Sequence, residues 1–321
     1  MNKRGQGPVA GTQDTMSTST EQELTERILK LKAERMAVIL SHNYQVSEIQ
    51  DLADFVGDSL ELSQQAAKTD AEVIVFCGVH FMAETAAIIC PDKTVLIPDL
   101  EAGCSMSDMI TVDQLRAFKA KHPGAVVVCY VNSTAAIKAE SDICCTSSNA
   151  VRVVESIPAD RQILFIPDQF LGEHVMKKTG RKMILYNGYC PTHVRIMAAD
   201  LYQAKAAHPR AQVFAHPECT SEVASMADQV ASTSGICRAV KNSPAEEVII
   251  ATETGILHRI EKENPGKKVY AACQWCDCAH MKVNTLEKLL WSLEDMRHVV
   301  AVSEEIRVRA KQAIDRMLAL G

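Results

Sequence analysis

The chain has 321 residues, of which 47% are hydrophobic and 23% are charged, and its formal net charge at pH 7 is -6. This composition is typical of a soluble globular protein and excludes a general attraction to nucleic acid or anionic lipid. The sequence has no apolar run near the ~18 residues that a membrane-spanning helix needs, and its first residues lack the apolar centre of a signal peptide. We therefore expect a cytoplasmic protein without a membrane or nucleic-acid partner, beginning with a disordered leader at residues 1–20.

Short runs rich in Val and Ile recur along the chain and predict strands. Their apolar character is continuous rather than alternating, as is typical of strands buried on both faces of a parallel sheet. Longer segments with helical spacing, such as LTERILKLKAERM (24–36) and ADLYQAKAAH (199–208), lie between them. The alternation predicts an α/β fold built from parallel βα units. The predicted strands are MAVIL (36–40), EVIVFC (72–77), KTVLIP (93–98), AVVVCYV (125–131), QILFIP (162–167), KMILY (182–186), AQVFA (211–215), EEVIIAT (246–252) and KKVYAA (267–272).

Chemically similar turns follow these strands at nearly constant intervals. The turns SHNYQ (41–45), YVNST (130–134) and AHPECT (215–220) form one such set. Hydroxyl-rich turns carry Ser59, Ser147 and Thr233, which are 88 and 86 residues apart, and a further set carries Cys104, Cys190 and Cys278, which are 86 and 88 residues apart. Equal intervals predict three related domains. We place them at 21–102, 103–188 and 189–277, followed by C-terminal helices over 278–321 that we expect to pack on the first domain.

The turns point to one central site. Ligands bind beyond the carboxyl ends of strands in open parallel sheets. Three Rossmann-like domains whose strand ends face one another would enclose a cavity with approximate threefold symmetry. Each domain would then bring one cysteine to the cavity.

The twelve cysteines raise the choice between metal binding and core packing, because a protein without an export signal is not expected to have a disulfide framework. Thiolates select zinc or an iron–sulfur cluster. Three cysteines would leave one iron of a cubane cluster without a protein thiolate, whereas CQWC (273–276) alone would suit a zinc knuckle or a redox pair. Both readings remain open on spacing alone. Five cysteines lie in or beside apolar segments and are predicted to be core residues: Cys77, Cys90, Cys129, Cys144 and Cys145.

Nine short segments of the sequence resemble motifs of the quinolinate synthase family, in the same order, and the match covers residues 36–292. They are SHNYQ, GDSLELS, PDLEAGCSM, YVNST, TSSNAV, GYCPTH, HPEC, STSGI and CAHMKVNTLEKL. The resemblance implies a transferase of NAD biosynthesis made of three α/β domains around a central site. The enzyme would condense iminoaspartate, supplied by an L-aspartate oxidase, with dihydroxyacetone phosphate to give quinolinate, phosphate and water. It would carry one oxygen-sensitive [4Fe-4S] cluster per chain.

The resemblance also implies the cluster ligands. The family's third ligand begins a C-x-x-M-[KA]-x-N pattern, which only Cys278 satisfies, and Cys104 and Cys190 match the other two. The chain departs from relatives that have C-x2-C-x2-C, so Cys273 and Cys276 are left out of the cluster as either a redox pair or spectators. The iron without a cysteine ligand is expected to bind an oxygen of the condensed intermediate and to promote loss of water.

Candidate catalytic groups lie on the first set of turns. We expect His42 and Tyr44 to transfer protons and to orient the triose. Glu218 is the candidate general base, with a pKa raised by a dry cavity, and His216 is the candidate partner for a substrate carboxylate or enol. Tyr130 supplies a neutral donor that is also assigned a catalytic role. His42, Tyr130, His216 and Glu218 are expected to bind substrate as well.

Further binding groups are neutral. Asn132 is a hydrogen-bond donor from the second domain. Four hydroxyl residues lie at predicted helix starts: Ser59, Ser147, Ser232 and Thr233. Hydroxyl and main-chain amide groups at helix starts bind carboxylate or phosphate, and the hydroxyls also serve as N-caps. We assign no chemistry to His193 and expect His280 on the surface or in the core.

Two other functions remain open. The protein could be another hydro-lyase with the same open iron, or a non-catalytic zinc or redox protein centred on residues 273–278.

Overall fold

The structure is a computed structural model that describes residues 20–320. The predicted leader lies outside these residues except for Thr20, which begins the first helix. The Thr20 hydroxyl accepts a hydrogen bond from the Glu23 N–H at 3.2 Å, and the Glu23 carboxylate accepts one from the Thr20 N–H at 2.9 Å. This reciprocal capping satisfies donors that the first helical turn leaves free. Among residues 20–320, no helix is both long and apolar enough to cross a membrane.

Three parallel sheets of four strands each form the framework, which confirms the predicted α/β fold of three similar Rossmann-like units. The strand orders are β2-β1-β3-β4, β6-β5-β7-β8 and β10-β9-β11-β12. We call the three sheets with their helices the first, second and third lobes. Their strands are β1 Ala37–His42, β2 Phe55–Gly57, β3 Val73–Cys77 and β4 Thr94–Leu96; β5 Val126–Tyr130, β6 Ile143–Cys145, β7 Ile163–Ile166 and β8 Ile184–Leu185; and β9 Gln212–Ala215, β10 Gln229–Val230, β11 Glu247–Ala251 and β12 Lys268–Ala271.

Helices connect the strands and close the chain. A short 3-10 helix covers Ser107–Met109. The α-helices are α1 Glu21–Glu34, α2 Ser47–Leu52, α3 Ser59–Lys68, α4 His80–Ile89, α5 Val112–Ala120, α6 Ala135–Ala139, α7 Ala150–Glu155, α8 Gln169–Thr179, α9 Pro191–Val194, α10 Ala198–Ala207, α11 Ser221–Met226, α12 Thr233–Asn242, α13 Ile256–Glu263, α14 Ala279–Lys282, α15 Leu286–Asp295 and α16 Glu304–Leu318.

Each lobe contains one strand that the apolar pattern did not predict. These strands, β2, β6 and β10, have only two or three residues and pair with the first strand of their sheet. The equally short β4 and β8 lie in the longer apolar runs KTVLIP and KMILY, whereas β2, β6 and β10 have polar neighbours that leave no such run to recognise. Each directly precedes a hydroxyl-rich turn, so these strands position the starts of α3, α7 and α12.

The repeat extends to hydrogen bonds that support the sheets. The carboxylates of Asp54, Asp142 and Asp228 each accept a hydrogen bond at 2.7–2.8 Å from a main-chain N–H of the first strand of their sheet. These aspartates are 88 and 86 residues apart. The same polar contact therefore stabilises the same position in all three lobes.

The core lies on both faces of the sheets. Every residue of β3 and β7 is buried, as continuous apolar runs in parallel sheets require. The prediction of core positions for the five cysteines is confirmed, because all of them are buried and none forms a disulfide: Cys77, Cys90, Cys129, Cys144 and Cys145.

The C-terminal segment divides between two lobes. Helix α15 packs against α1 and β3 of the first lobe. Helix α16 packs mainly against α6 and β6 of the second lobe, with a smaller contact to α4 of the first. Glu140, at the end of α6, binds Arg309 of α16 at 2.8 Å and Arg116 of α5 at 2.7 Å. The hydrogen bond from Arg116, together with that from Arg309, lowers the pKa of Glu140 to about 2.

Candidate active site

A cavity of about 270 Å³ lies where the carboxyl ends of the three sheets meet. His42 ends β1, Tyr130 ends β5, and His216 follows β9, so the equivalent strand of each lobe delivers a side chain to the same space. Parallel strands place their following turns at one edge of a sheet, which explains why turns far apart in the sequence converge. The cavity therefore lies at the expected central position.

The cavity lining contains all but one of the residues predicted for the site. The exception is Ser232. The lining includes His42, Tyr44, Ser59, Cys104, Tyr130, Asn132, Ser147, Cys190, His216, Glu218, Thr233 and Cys278.

Ser232 lies beside the cavity in a polar junction of the three lobes. Its hydroxyl caps α12 by accepting from the Gly235 N–H at 3.2 Å and donates to the Asp58 carboxylate at 3.1 Å. The same Asp58 oxygen accepts a hydrogen bond from Ser148 of the second lobe. Burial raises the pKa of Asp58. Ser232 thus binds other parts of the protein rather than lining the space for a ligand.

The three predicted cysteine ligands lie close enough together to affect one another electrostatically. Burial raises the pKa of the Cys104 thiol to about 12, and a charge on Cys278 raises it further. Burial also raises the pKa of Cys190, with contributions from both of the other cysteines, and that of Cys278. All three thiols are therefore neutral at pH 7 unless a cation stabilises their thiolates.

The two remaining cysteines of the CQWCDC segment form a disulfide. Cys273 and Cys276 are bonded, with their Cα atoms 5.5 Å apart. It is a single local bond rather than a framework, and it joins the two cysteines that the sequence left open as either a redox pair or spectators. It leaves Cys278 as the only cysteine of the segment with a free thiol.

Contacts between neighbouring loops hold the cysteines in place. The Glu253 carboxylate, which is fully buried, accepts from the Cys278 N–H at 2.9 Å and binds the Lys282 ammonium at 2.9 Å. His280, which was expected on the surface or in the core, lines the cavity and lies 3.1 Å from the Ser105 hydroxyl. The Cys104 and Cys278 loops are therefore joined across the lobes.

His42 and His216 adopt the same local structure in the first and third lobes. The Nδ1 atom of each accepts a hydrogen bond from the N–H two residues later, at 3.2 Å for His42 and 3.3 Å for His216. Burial lowers the pKa of each imidazole to about 3. Both rings are therefore neutral at pH 7, with the proton on Nε2, because Nδ1 acts as an acceptor.

Glu218 is the centre of the polar network. Its carboxylate accepts a hydrogen bond from the Tyr130 hydroxyl and another from the Asn132 amide at 3.4 Å. Its second oxygen lies 2.8 Å from Nδ1 of His193. Burial alone would raise its pKa, but His193, His216 and Tyr130 outweigh burial and lower the pKa to about 2. The expectation of a raised pKa is wrong, because it considered burial without the donors that surround the carboxylate.

His193 is the most prominent residue that the sequence analysis left without chemistry. It is 2% exposed, its ring stacks on that of His216 at 4.7 Å, and its Nε2 lies 2.8 Å from the Thr252 hydroxyl. The ligand atoms of Cys190, His193 and Glu218 lie within 4.8 Å of one another, so they could also hold a single metal ion. The spacing of His193 three residues after Cys190, one turn of helix, was the signal that could have identified it.

Comparisons with known proteins show to which family the chain belongs. The sequence model of the family described as quinolinate synthetase A protein matches residues 26–319. A quinolinate synthase of Methanosarcina barkeri is 55% identical over 298 residues, which cover 93% of this chain and 98% of that protein. A quinolinate synthase of Dehalococcoides mccartyi is 56% identical over 295 residues, with 92% and 97% covered, and one of Geotalea uraniireducens is 52% identical over 300 residues, with 94% and 98% covered. Because the family match and these relatives extend over most of its length, the chain belongs to the quinolinate synthase family.

Proposed function

We propose that this protein is an enzyme that synthesises quinolinate from iminoaspartate and dihydroxyacetone phosphate, releasing phosphate and water, as part of NAD biosynthesis. The observation that carries the proposal is the cavity itself, in which one cysteine from each repeat lies beside His42, Tyr130 and Glu218. The family membership supports the choice of substrates. The reaction would class the enzyme as a transferase.

The donor set fits an iron–sulfur cluster held by Cys104, Cys190 and Cys278. All three cysteines line one cavity, and the raised pKa values of their thiols mean that they need a strongly positive partner to become thiolates. Sulfur donors select soft metals. We propose one [4Fe-4S] cluster per chain. When bound, such a cluster supplies an iron atom without a protein thiolate, which acts as a Lewis acid toward a substrate oxygen.

Neutral groups would hold the anionic substrates. Ser59 and Thr233 are the first residues of α3 and α12, and both line the cavity, as does Ser147. Main-chain N–H groups at helix starts carry partial positive charge and bind carboxylate or phosphate without a basic side chain. The Nε2–H groups of the neutral His42 and His216 add donors for a carbonyl, enol or carboxylate oxygen.

Proton transfer would centre on Glu218 and its partners. Because its pKa is about 2, Glu218 is an ionised carboxylate at pH 7 that orients and stabilises the groups around it. Tyr130 and His193 share this carboxylate, so its charge can stabilise a proton that the His193 imidazole takes from the substrate. Burial raises the pKa of Tyr130, so its phenol stays a donor. Tyr44 is the proton-transfer candidate from the first lobe, and the centroid of its ring lies 4.6 Å from that of His42.

The proposal includes a supply of iminoaspartate by an L-aspartate oxidase. An imine hydrolyses in water, so the donor enzyme would act in the same compartment, and a cytoplasmic location remains our prediction. We propose functional rather than physical coupling between the two enzymes.

The test is anaerobic purification followed by metal analysis and a product assay. We expect about four irons and four sulfides per chain and the formation of quinolinate in an oxidase-coupled reaction with dihydroxyacetone phosphate. Iron without quinolinate, but with dehydration of another hydroxy acid, would favour a different hydro-lyase. One zinc per chain and no product would instead favour an ion held by Cys190, His193 and Glu218, and would contradict both the cluster and the reaction.

A further inference from the structure

Three side chains of the cavity bring a sulfur, a nitrogen and an oxygen to the spacing of a single metal ion. One ligand atom from each of Cys190, His193 and Glu218 lies within 4.8 Å of the other two. In the part of the chain that the structure describes, no other three Cys, His, Asp or Glu side chains approach one another this closely. The three predicted cluster cysteines do not do so either. The cysteines are therefore spaced for a larger group, whereas a single ion would bind the mixed set.

The surrounding hydrogen bonds leave the required atoms of His193 and Glu218 available to a cation. The Tyr130 hydroxyl and the Asn132 amide donate to one oxygen of Glu218, and the second oxygen lies free of them. Nδ1 of His193 is 2.8 Å from that second oxygen, yet it has no well-aligned hydrogen-bond partner among the described residues. Metal-binding histidines usually donate their other ring N–H to an acceptor. The Thr252 hydroxyl, 2.8 Å from Nε2, is in that position.

The donor set selects zinc. Zinc binds thiolate, imidazole and carboxylate together, and a site with three protein ligands keeps a fourth position for water. A given set of such ligands binds Zn²⁺ more tightly than Fe²⁺. Zinc bonds of about 2.0–2.3 Å place ligand atoms about 3–4 Å apart, so the set needs to contract by about 1 Å at most. We propose that the protein without its cluster binds one zinc ion through Cys190, His193 and Glu218, and that this ion prevents assembly of the cluster.

Zinc and the cluster exclude one another because both need the same thiolate. Cys190 belongs to both ligand sets. Cys104 and Cys278 belong only to the cluster, whereas His193 and Glu218 belong only to the zinc site, so substitutions separate the two. The exclusion rests on the cluster proposed above, but zinc binding itself depends on neither the cluster nor the reaction.

A zinc titration of the metal-free protein tests the site directly. Cys273 and Cys276 are replaced by serine throughout, so that a reduced CQWC segment cannot bind the ion. We expect one zinc per chain, with the affinity measured against a chelating dye. Cys104→Ala should keep this affinity, and His193→Gln should weaken it by about 100-fold or more because one of three ligands is lost. Co²⁺ as a probe should show thiolate-to-metal absorbance that disappears in Cys190→Ala.

Cluster assembly is the second measurement. Zinc-loaded protein should gain no brown absorbance on anaerobic incubation with iron and sulfide, and removal of the zinc with a chelator should restore it. If His193→Gln does not fold, Glu218→Gln provides the same contrast.

Three results would overturn the inference: no zinc binding, zinc that is retained by His193→Gln but lost from Cys104→Ala, or a cluster that assembles while zinc stays bound. Failure of the zinc-free protein to assemble a cluster, or absence of quinolinate once it has one, would refute the proposed function instead. The zinc titration would still decide whether the site exists.

Discussion

The first and third lobes differ from the second at the end of their first strand, although all three share one backbone plan. In the first and third lobes, His42 and His216 accept the same N–H hydrogen bond through Nδ1. In the second lobe, the strand ends in Tyr130, which donates to Glu218 of the third lobe. The supporting aspartates are alike in all three. Repetition therefore determines where side chains enter the cavity, and departures from repetition supply its different chemical groups.

The largest expected effect comes from the feature that is repeated in every lobe, the cysteine. Cys104→Ala, Cys190→Ala and Cys278→Ala should each abolish the brown absorbance of the cluster and the quinolinate activity, because each removes one thiolate ligand. Iron analysis and the absorbance spectrum after anaerobic purification measure the loss. Cys273→Ala is the matched control and should retain the cluster. Loss of iron in that control, with retention in Cys278→Ala, would reverse the ligand assignment.

A second prediction concerns the donor that is specific to the second lobe. Tyr130→Phe keeps the ring and removes the hydroxyl bound to Glu218, so activity should fall by about 100-fold. The pKa of Glu218 should rise, since a donor that lowers it is lost. The activity of purified variants with full iron content is the measurement. Tyr186→Phe, which removes a hydroxyl bound to the Met109 carbonyl at 3.0 Å in the same lobe, is the control. Equal activities would show that the Tyr130 hydroxyl has no catalytic role.

A third prediction tests the equivalence of the first and third lobes through pH. The folded pKa of His42 is about 3, below the usual 6.5, so the unfolded chain binds a proton that the folded chain does not. Stability should therefore fall as the pH decreases below 6.5 toward 3. Between pH 7 and pH 5, the unfolding free energy should decrease by about 2 kcal/mol less in His42→Gln than in the original protein. Urea unfolding of the metal-free protein at both pH values measures it, and His216→Gln should behave alike. Profiles parallel to that of the original protein would contradict the neutral imidazoles.

The smallest expected effect concerns the shared scaffold. Asp142→Ala and Asp228→Ala each remove the acceptor of a strand N–H at 2.7 Å, so each should lower the unfolding free energy by about 1–2 kcal/mol. The melting temperature should fall by about 2–4 °C in each case. Asp160→Ala, on an exposed turn, is the control. Unequal losses of unfolding free energy in the two variants would show that the same hydrogen bond does not stabilise the second and third lobes equally.

The sequence by itself determined the repeated plan of this protein. Continuous apolar runs such as EVIVFC and QILFIP identified most of the strands, since burial on both faces leaves a plain signal in the residue types. The spacing of Cys104, Cys190 and Cys278 located the turns that meet at the cavity. The strands β2, β6 and β10 were not predicted, because they do not lie within longer apolar runs as the equally short β4 and β8 do.

Only the tertiary structure decided how the side chains interact. The low pKa of Glu218 depends on donors from the second and third lobes, and the link from Tyr44 through Thr252 to His193 joins residues that are 59 to 208 positions apart. The disulfide between Cys273 and Cys276 likewise depends on a local geometry that its spacing did not settle. Residue types and intervals predict which groups approach a common space. Hydrogen-bond direction and protonation depend on distances of a few tenths of an ångström, which only the packing of the three lobes defines.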